Sequence, residues 1–375
     1  MHTSRRGVTI VDLLTALGAI VILLCMYMLL APAFSTTGGK NNRQLKDQTQ
    51  IRGIHQAMVL FAQNNQDRYP IPSELDKGHT TLSSTSAKDD PGSVLSILIY
   101  AGFFTPEITV SPAEQSDLVR IDDDYNFTMP SRVAATPAAE QIGASEPAKA
   151  QAGKPLANQA LWDPAFRGSS AEAVAQAGTK PIGTVAMENN ITGNNSYAMM
   201  PFFGARRAKW SNTFGATEAV LGNRGPSYEV VGTQAGASYR LLRTGAINKR
   251  AGFTDTIGKG TSSVSLLIHG KQDRWEGNIA FNDNHVDYFS QPDPELLPFT
   301  FSGLTPPSSA RRRENIFVAE DDATLTPLPT QIGRVTIAEP TANNPFAGLN
   351  NWLRTWTVSG VDDDAKTSEV TLIAD

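Results

Sequence analysis

Three groups of residues in this 375-residue chain have types and spacing suited to chemistry. The first is Asp12, five positions after Gly7 in Arg5-Arg6-Gly7-Val8 and followed by an apolar run without a charge from Leu13 to Leu30. A carboxylate at membrane depth costs on the order of a few kcal/mol unless a cation pairs with it. The second is His269 with the later run Asp283-Asn284-His285, two imidazoles and a carboxylate, which are ligand types for a transition metal. The third is Asp122-Asp123-Asp124, oxygen donors of the kind calcium takes, here without the spaced ligands and glycine turn that wrap the cation. No nucleophile motif or third histidine accompanies the second group. Asn and Asp both tolerate the backbone of a tight turn, so Asp283-Asn284 reads first as a hairpin tip and Asp122–Asp124 as a solvated turn.

The elements that must carry these residues follow from hydropathy. As a helix, Val8 to Leu30 extends roughly 34 Å, enough to cross a bilayer core. Arg5 and Arg6 before it, against an uncharged Ala31–Gly39 after it, put the N-terminus in the cytoplasm and the body outside. Gly38-Gly39 is expected to interrupt any helix. From Asn42 to Gln63 a stripe of Ile51, Ile54, Met58 and Phe61 predicts an amphipathic helix, with His55 on it as a packing or polar-face residue. Pro70 and Pro72 stop it, Lys77–Asp90 reads as a loop, and Ser93–Phe104 as a second amphipathic helix. The Ala/Pro/Gly/Glu-rich stretch 131–158 predicts a mobile insertion. Alternation at Ile279, Phe281, Val286 and Tyr288 predicts two strands around the Asp283-Asn284 tip, and Trp352, Trp356, Val358, Val361, Val370, Leu372 and Ile373 predict closing strands.

Bulk properties narrow the classes. With 32 basic against 37 acidic residues and a net charge of −5, the chain is no nucleic-acid binder, and Arg311-Arg312-Arg313 reads as a local surface contact. Cys25, the single cysteine, rules out an intrachain disulfide and a cysteine zinc site, and it fits as a small filler of the apolar run.

Arg5-Arg6-Gly7-Val8-Thr9-Ile10-Val11-Asp12-Leu13-Leu14 resembles the class III signal of type IV pilins and type II secretion pseudopilins. The resemblance implies that a prepilin peptidase cuts after Gly7 and methylates Val8. Asp12 stands where that family has Glu, and it would pair with a neighbouring subunit's new amino terminus to set the register of assembly. Leu30-Ala31-Pro32-Ala33-Phe34, the run Ile54–Pro70, Asn195–Met199 and Val220–Pro226 resemble further segments of these proteins. His269-Gly270 with Gly277–Phe289 resembles the processing-associated motif of planctomycete pseudopilin-like proteins, with Asn284 in place of Gly and a longer interval between His269 and Asp283.

The resemblance implies an α+β, pilin-like fold: a long N-terminal helix, half membrane-spanning and half amphipathic, packed on an antiparallel sheet with large loop insertions. Its parts would be a leader (1–7), an assembly helix (8–30), an amphipathic continuation (31–69), an exported domain (70–290) and a Pro-rich segment with C-terminal strands (291–375). The expected role is structural, not enzymatic: a single-pass subunit of the cytoplasmic membrane that joins an envelope or extracellular fibre. Partners would be the prepilin peptidase, other pilin or pseudopilin subunits, an inner-membrane assembly platform and membrane lipid. No cofactor is expected, calcium at Asp122–Asp124 being the one candidate. Two alternatives stay open: a membrane-anchored exported binding protein that does not polymerise, and an exported metal-binding protein using His269 and His285.

Overall fold

The computed structural model describes residues 10, 17, 19–20, 36–82, 88–130, 133–134, 156–168, 193–231, 238–242, 260–295, 297–300, 311–318, 320–321, 326–327, 333–337, 350–362 and 367–373. The chain divides into two compact units, Met1–Lys46 and Asp47–Asp375.

Helix α1 (Thr36–Gln63) runs through Gly38 and Gly39, where the sequence suggested a break. Each glycine costs a helix about 1 kcal/mol relative to alanine, which is too little to end one by itself. From Asp47 onward, Ile51, Ile54, Ala57, Met58 and Ala62 are buried on one face, at the spacing that returns to the same side of a helix. The helix ends where Gln66 and Asp67 take positive φ (56° and 62°) and the Asp67 amide turns back to the Ala62 carbonyl at 2.9 Å.

The expected pilin-like architecture is overturned. A long N-terminal helix with a membrane-spanning half is not seen. Among the described residues the first extended helix is α1, and no helix there is long and apolar enough to cross a membrane. The physical reason lies in α1 itself, which opens on the polar run Thr36-Thr37-Gly38-Gly39-Lys40-Asn41-Asn42-Arg43. Gly7, Val8 and Asp12 lie outside the described residues.

Two more helices follow. Helix α2 (Pro72–Leu75) begins on a proline, whose missing N–H is no loss in a first turn. Helix α3 (Pro91–Tyr100) is capped by Asp90, whose Oδ1 accepts the Ser93 amide at 2.7 Å. The sequence suggested an amphipathic helix here, but α3 is buried from Pro91 to Ile99 because it lies inside the core. At Gly92 an added Cβ would sit 2.4 Å from the Gly168 amide nitrogen, so the Arg167–Gly168 backbone passes directly against this helix.

Among the described residues the strands fall into five sheets instead of the single one expected. They are β1 (Tyr197–Met199), β2 (Ala219–Asn223), β3 (Tyr228–Val231), β4 (Ser238–Leu241), β5 (Gly277–Phe281), β6 (Val286–Phe289), β7 (Pro298–Thr300), β8 (Arg311–Arg313), β9 (Glu320–Asp321), β10 (Thr326–Pro327), β11 (Gly333–Ile337), β12 (Thr355–Asp362) and β13 (Thr367–Ile373). An antiparallel sheet in the order β1-β2-β5-β6 forms the centre, and β11-β13-β12 a second sheet. The remaining strands pair as β3–β4, β7–β8 and β9–β10. Each such pair joins strands close in sequence, which lets it form without entering the central ladder.

Strands β1, β2 and β5 are buried throughout, so they read as continuous apolar runs more than as alternation. The second sheet contributes Trp356, which meets Phe202 and Phe203 edge-on and donates its Nε1–H to the Asp89 carbonyl at 2.8 Å. The insertion near 131–158 starts and ends at one place. Ala134 N donates to Thr81 O at 3.0 Å, and Leu156 N to Ala134 O at 3.1 Å.

Candidate functional site

Polar side chains concentrate where the buried face of α1 meets the β5–β6 hairpin. Asp47 opens that face, one turn before Ile51, and is fully buried. Its Oδ2 accepts from His269 Nε2 at 2.9 Å and from Asn278 Nδ2 at 2.7 Å, and its Oδ1 accepts from the Tyr197 hydroxyl at 3.1 Å. Burial pushes this carboxyl upward. The hydrogen bond and charge of His269, with bonds from Ser111 and Asn278, outweigh it and hold the group below the usual carboxylate range. Burial, with Asp47 alongside, raises the Tyr197 hydroxyl well above its ordinary value.

His269 reaches Asp47 from the end of a 3-10 turn over Val264–Leu267. Its ring lies edge-on to Tyr288 of β6, centroids 5.9 Å apart. The residue after it must be glycine, since a Cβ at Gly270 would stand 2.2 Å from the Arg274 carbonyl oxygen. Asn278 of β5 is placed by its own amide, which donates to Asn223 Oδ1 of β2 at 2.7 Å.

Two turns further along α1, His55 makes the second contact. Its Nδ1 lies 3.0 Å from Asn284 Oδ1 at the hairpin tip, and its Nε2 lies 3.1 Å from the Tyr69 hydroxyl. Asn284 holds φ at +70°, the left-handed conformation that asparagine tolerates best among non-glycine residues. Tyr69 donates to Asn282 Oδ1 at 2.5 Å and packs edge-on against Trp210. Burial lowers the His55 imidazole below its ordinary value, opposed by the Asn284 bond and the Asp283 charge.

The residues singled out from the sequence are therefore distributed as follows. His269 is buried against Asp47, whereas exposed Asp283 and half-buried His285 are partners of each other at the tip. Burial pushes Asp283 up, and the hydrogen bonds and charge of His285 together outweigh it and hold the group below the usual carboxylate range. The points where His269 and the tip meet α1 are eight residues apart, roughly 12 Å along a helix. Among the described residues no group of three His, Cys, Asp or Glu is placed to hold a metal ion. Asp122 is pushed up to about 7, first by burial and then by the Asp124 and Asp163 carboxylates. Asp123 and Asp124 are exposed.

Asp47, Asn278, Tyr69 and Asn282 were not singled out from the sequence. One signal was available for Asp47: it shares the helical phase of Ile51, Ile54 and Met58, so a charge there sits on the apolar stripe.

What this arrangement does chemically is fasten. Two histidines, one on the helix and one beside the sheet, each cross the helix–hairpin junction to a polar partner. No protein-family model, curated protein or solved structure matches the chain.

Proposed function

We propose that this chain is a membrane-anchored structural subunit, processed after Gly7 and assembled through its apolar N-terminal segment into a type II secretion pseudopilus or a type IV pilus-like fibre. The observation that carries the reading is Arg5-Arg6-Gly7-Val8 followed by Asp12, the lone acid at the head of an uncharged apolar run. Cleavage by a prepilin peptidase leaves the Val8 amine as a cation, and Asp12 of the next subunit is the anion that meets it. A buried pair of this kind fixes geometry more than it adds stability, which is what a register device needs. Membrane lipid holds the segment before assembly, and an inner-membrane platform and sister subunits take it over. The clamp at Asp47 and His55 supports the reading from the other side, since it fastens the following helix to the body that a fibre would carry.

Mass spectrometry of the protein from its own cells tests the proposal. A chain beginning at methylated Val8 supports it. An intact Met1 overturns it and favours an anchored binding protein that does not polymerise, and cleavage near Ala33 overturns it because the apolar segment is then removed. The register role is tested by Asp12→Ala, which should abolish fibres and leave membrane insertion unchanged; normal fibres from that variant contradict it.

A further inference from the structure

The hydrogen-bond directions around His55 leave only one consistent assignment up to the last ring nitrogen. Asn282 uses both amide protons on carbonyls, Ser211 O at 3.1 Å and Phe214 O at 3.0 Å. Its Oδ1 must therefore face Tyr69, and the single Tyr69 hydroxyl proton goes to it. The Tyr69 oxygen is then the acceptor for His55, so Nε2 carries a proton. That leaves Nδ1 facing Asn284 Oδ1 at 3.0 Å. Two acceptors cannot share that distance. Either Nδ1 is also protonated and the ring is an imidazolium, or the ring is neutral and the Asn284 amide has turned to offer Nδ2.

We propose that His55 and Asn284 form a proton-linked latch between α1 and the β5–β6 hairpin, in which the proton on His55 Nδ1 decides which end of the Asn284 amide faces the helix. The neutral ring accepts a hydrogen bond from Asn284 Nδ2. The protonated ring donates one to Asn284 Oδ1, the orientation in this structure. The amide can turn because its anchorage is in the backbone, where the Asn284 N–H donates to Phe281 O at 2.8 Å.

The groups around the ring pull in opposite directions, and burial prevails, so the switch lies on the acid side of an ordinary histidine. From the hairpin, the Asp283 carboxylate favours the cation, but its own nearest partner is His285. From the segment after α1 comes only the neutral Tyr69 hydroxyl, with the Trp210 indole packed behind it. On α1 itself, Arg52 lies one turn before His55 and is exposed. Burial opposes the charge, so acid weakens the seat of the helix, and the turning amide limits the loss by keeping one hydrogen bond in both states.

The chain has five histidines, so selective labelling of the full-length protein gives a spectrum in which His55→Gln identifies the signal of interest. Nitrogen and carbon shifts across pH 4–9 report its tautomer and midpoint. The latch requires a neutral His55 with the proton on Nε2, and Asn284 side-chain amide signals that move with the same midpoint as the ring. Asn284→Asp, which puts a carboxylate at Nδ1, should raise that midpoint by at least one pH unit. Tyr69→Phe should abolish the Nε2–H preference. A neutral ring protonated on Nδ1 in the parent protein, or Asn284 amide signals that do not follow the His55 titration, overturns the proposal.

Discussion

At Asp47 a carboxylate is buried at the price of its hydration and is compensated by donors that include His269, Asn278 and Tyr197. Asp47→Ala strands His269 and Asn278, while Tyr197 keeps Gln50 Oε1 at 3.3 Å, and removal of one partner from a buried charged cluster costs about 3–5 kcal/mol. A shift of the urea midpoint to lower concentration, with an unchanged slope, is the expected reading. Glu314 is the opposite case. Burial pushes it up to about 7, while bonds from Asn351 pull it down. Its folded value therefore lies above its unfolded one, so its contribution to stability is complete below about pH 4.5 and declines as pH rises through 7. Glu314→Gln should be close to neutral at pH 4 and stabilising by about 1–3 kcal/mol at pH 8, measured as the difference between unfolding curves at the two pH values. Neither residue announces its role in the sequence. Asp47 shares the phase of the apolar stripe, but its partner His269 is 222 residues away, and no local pattern links the two.

At the level of elements, legibility followed the range of the forces involved. Proline acts within one turn, yet Pro72, expected only to stop a helix, opens a short one, and α3 opens at Pro91, two residues before the expected Ser93. Asp90→Ala should cost about 0.5–2 kcal/mol through loss of the α3 cap, read as a lower thermal midpoint. The character of α3 was not legible, because Ser93 and Ser96 look like a polar face. In the structure Ser96 donates to the Asp163 carbonyl at 2.8 Å, so a hydroxyl that resembles a solvent contact is a core hydrogen bond. The β5–β6 hairpin could be placed from alternation and turn residues alone. The division of the remaining strands into separate small sheets could not, since strand pairing depends on partners that hydropathy does not name.

For the molecule as a whole, hydropathy located an apolar run but did not establish that one helix continues from it into the body. The polar opening of α1 marks the difference. The C-terminal sheet is the other large-scale feature. Trp352 and Trp356 are fully buried, and Arg354 is buried with its guanidinium on the Pro226 and Phe317 carbonyls. Removal of 350–375 should therefore expose the Phe202–Phe203 stack and the loop at Asp89. The expected outcome is a truncated chain that is cut rapidly by protease under conditions where the full chain is stable. A truncated chain that matched the parent's resistance would show that the second sheet is an appendage.

The hydrogen bond from Leu156 to Ala134 has a consequence for what this scaffold tolerates. Ala134 and Leu156 are stitched to each other and Ala134 to Thr81, so the two ends of the insertion are held at one point of the frame, and a longer or shorter insertion adds only slowly to the cost of closing it. That joint is a natural splice point. Sequence exchanged there changes what the molecule displays and leaves the central sheet and its helix clamp as they are.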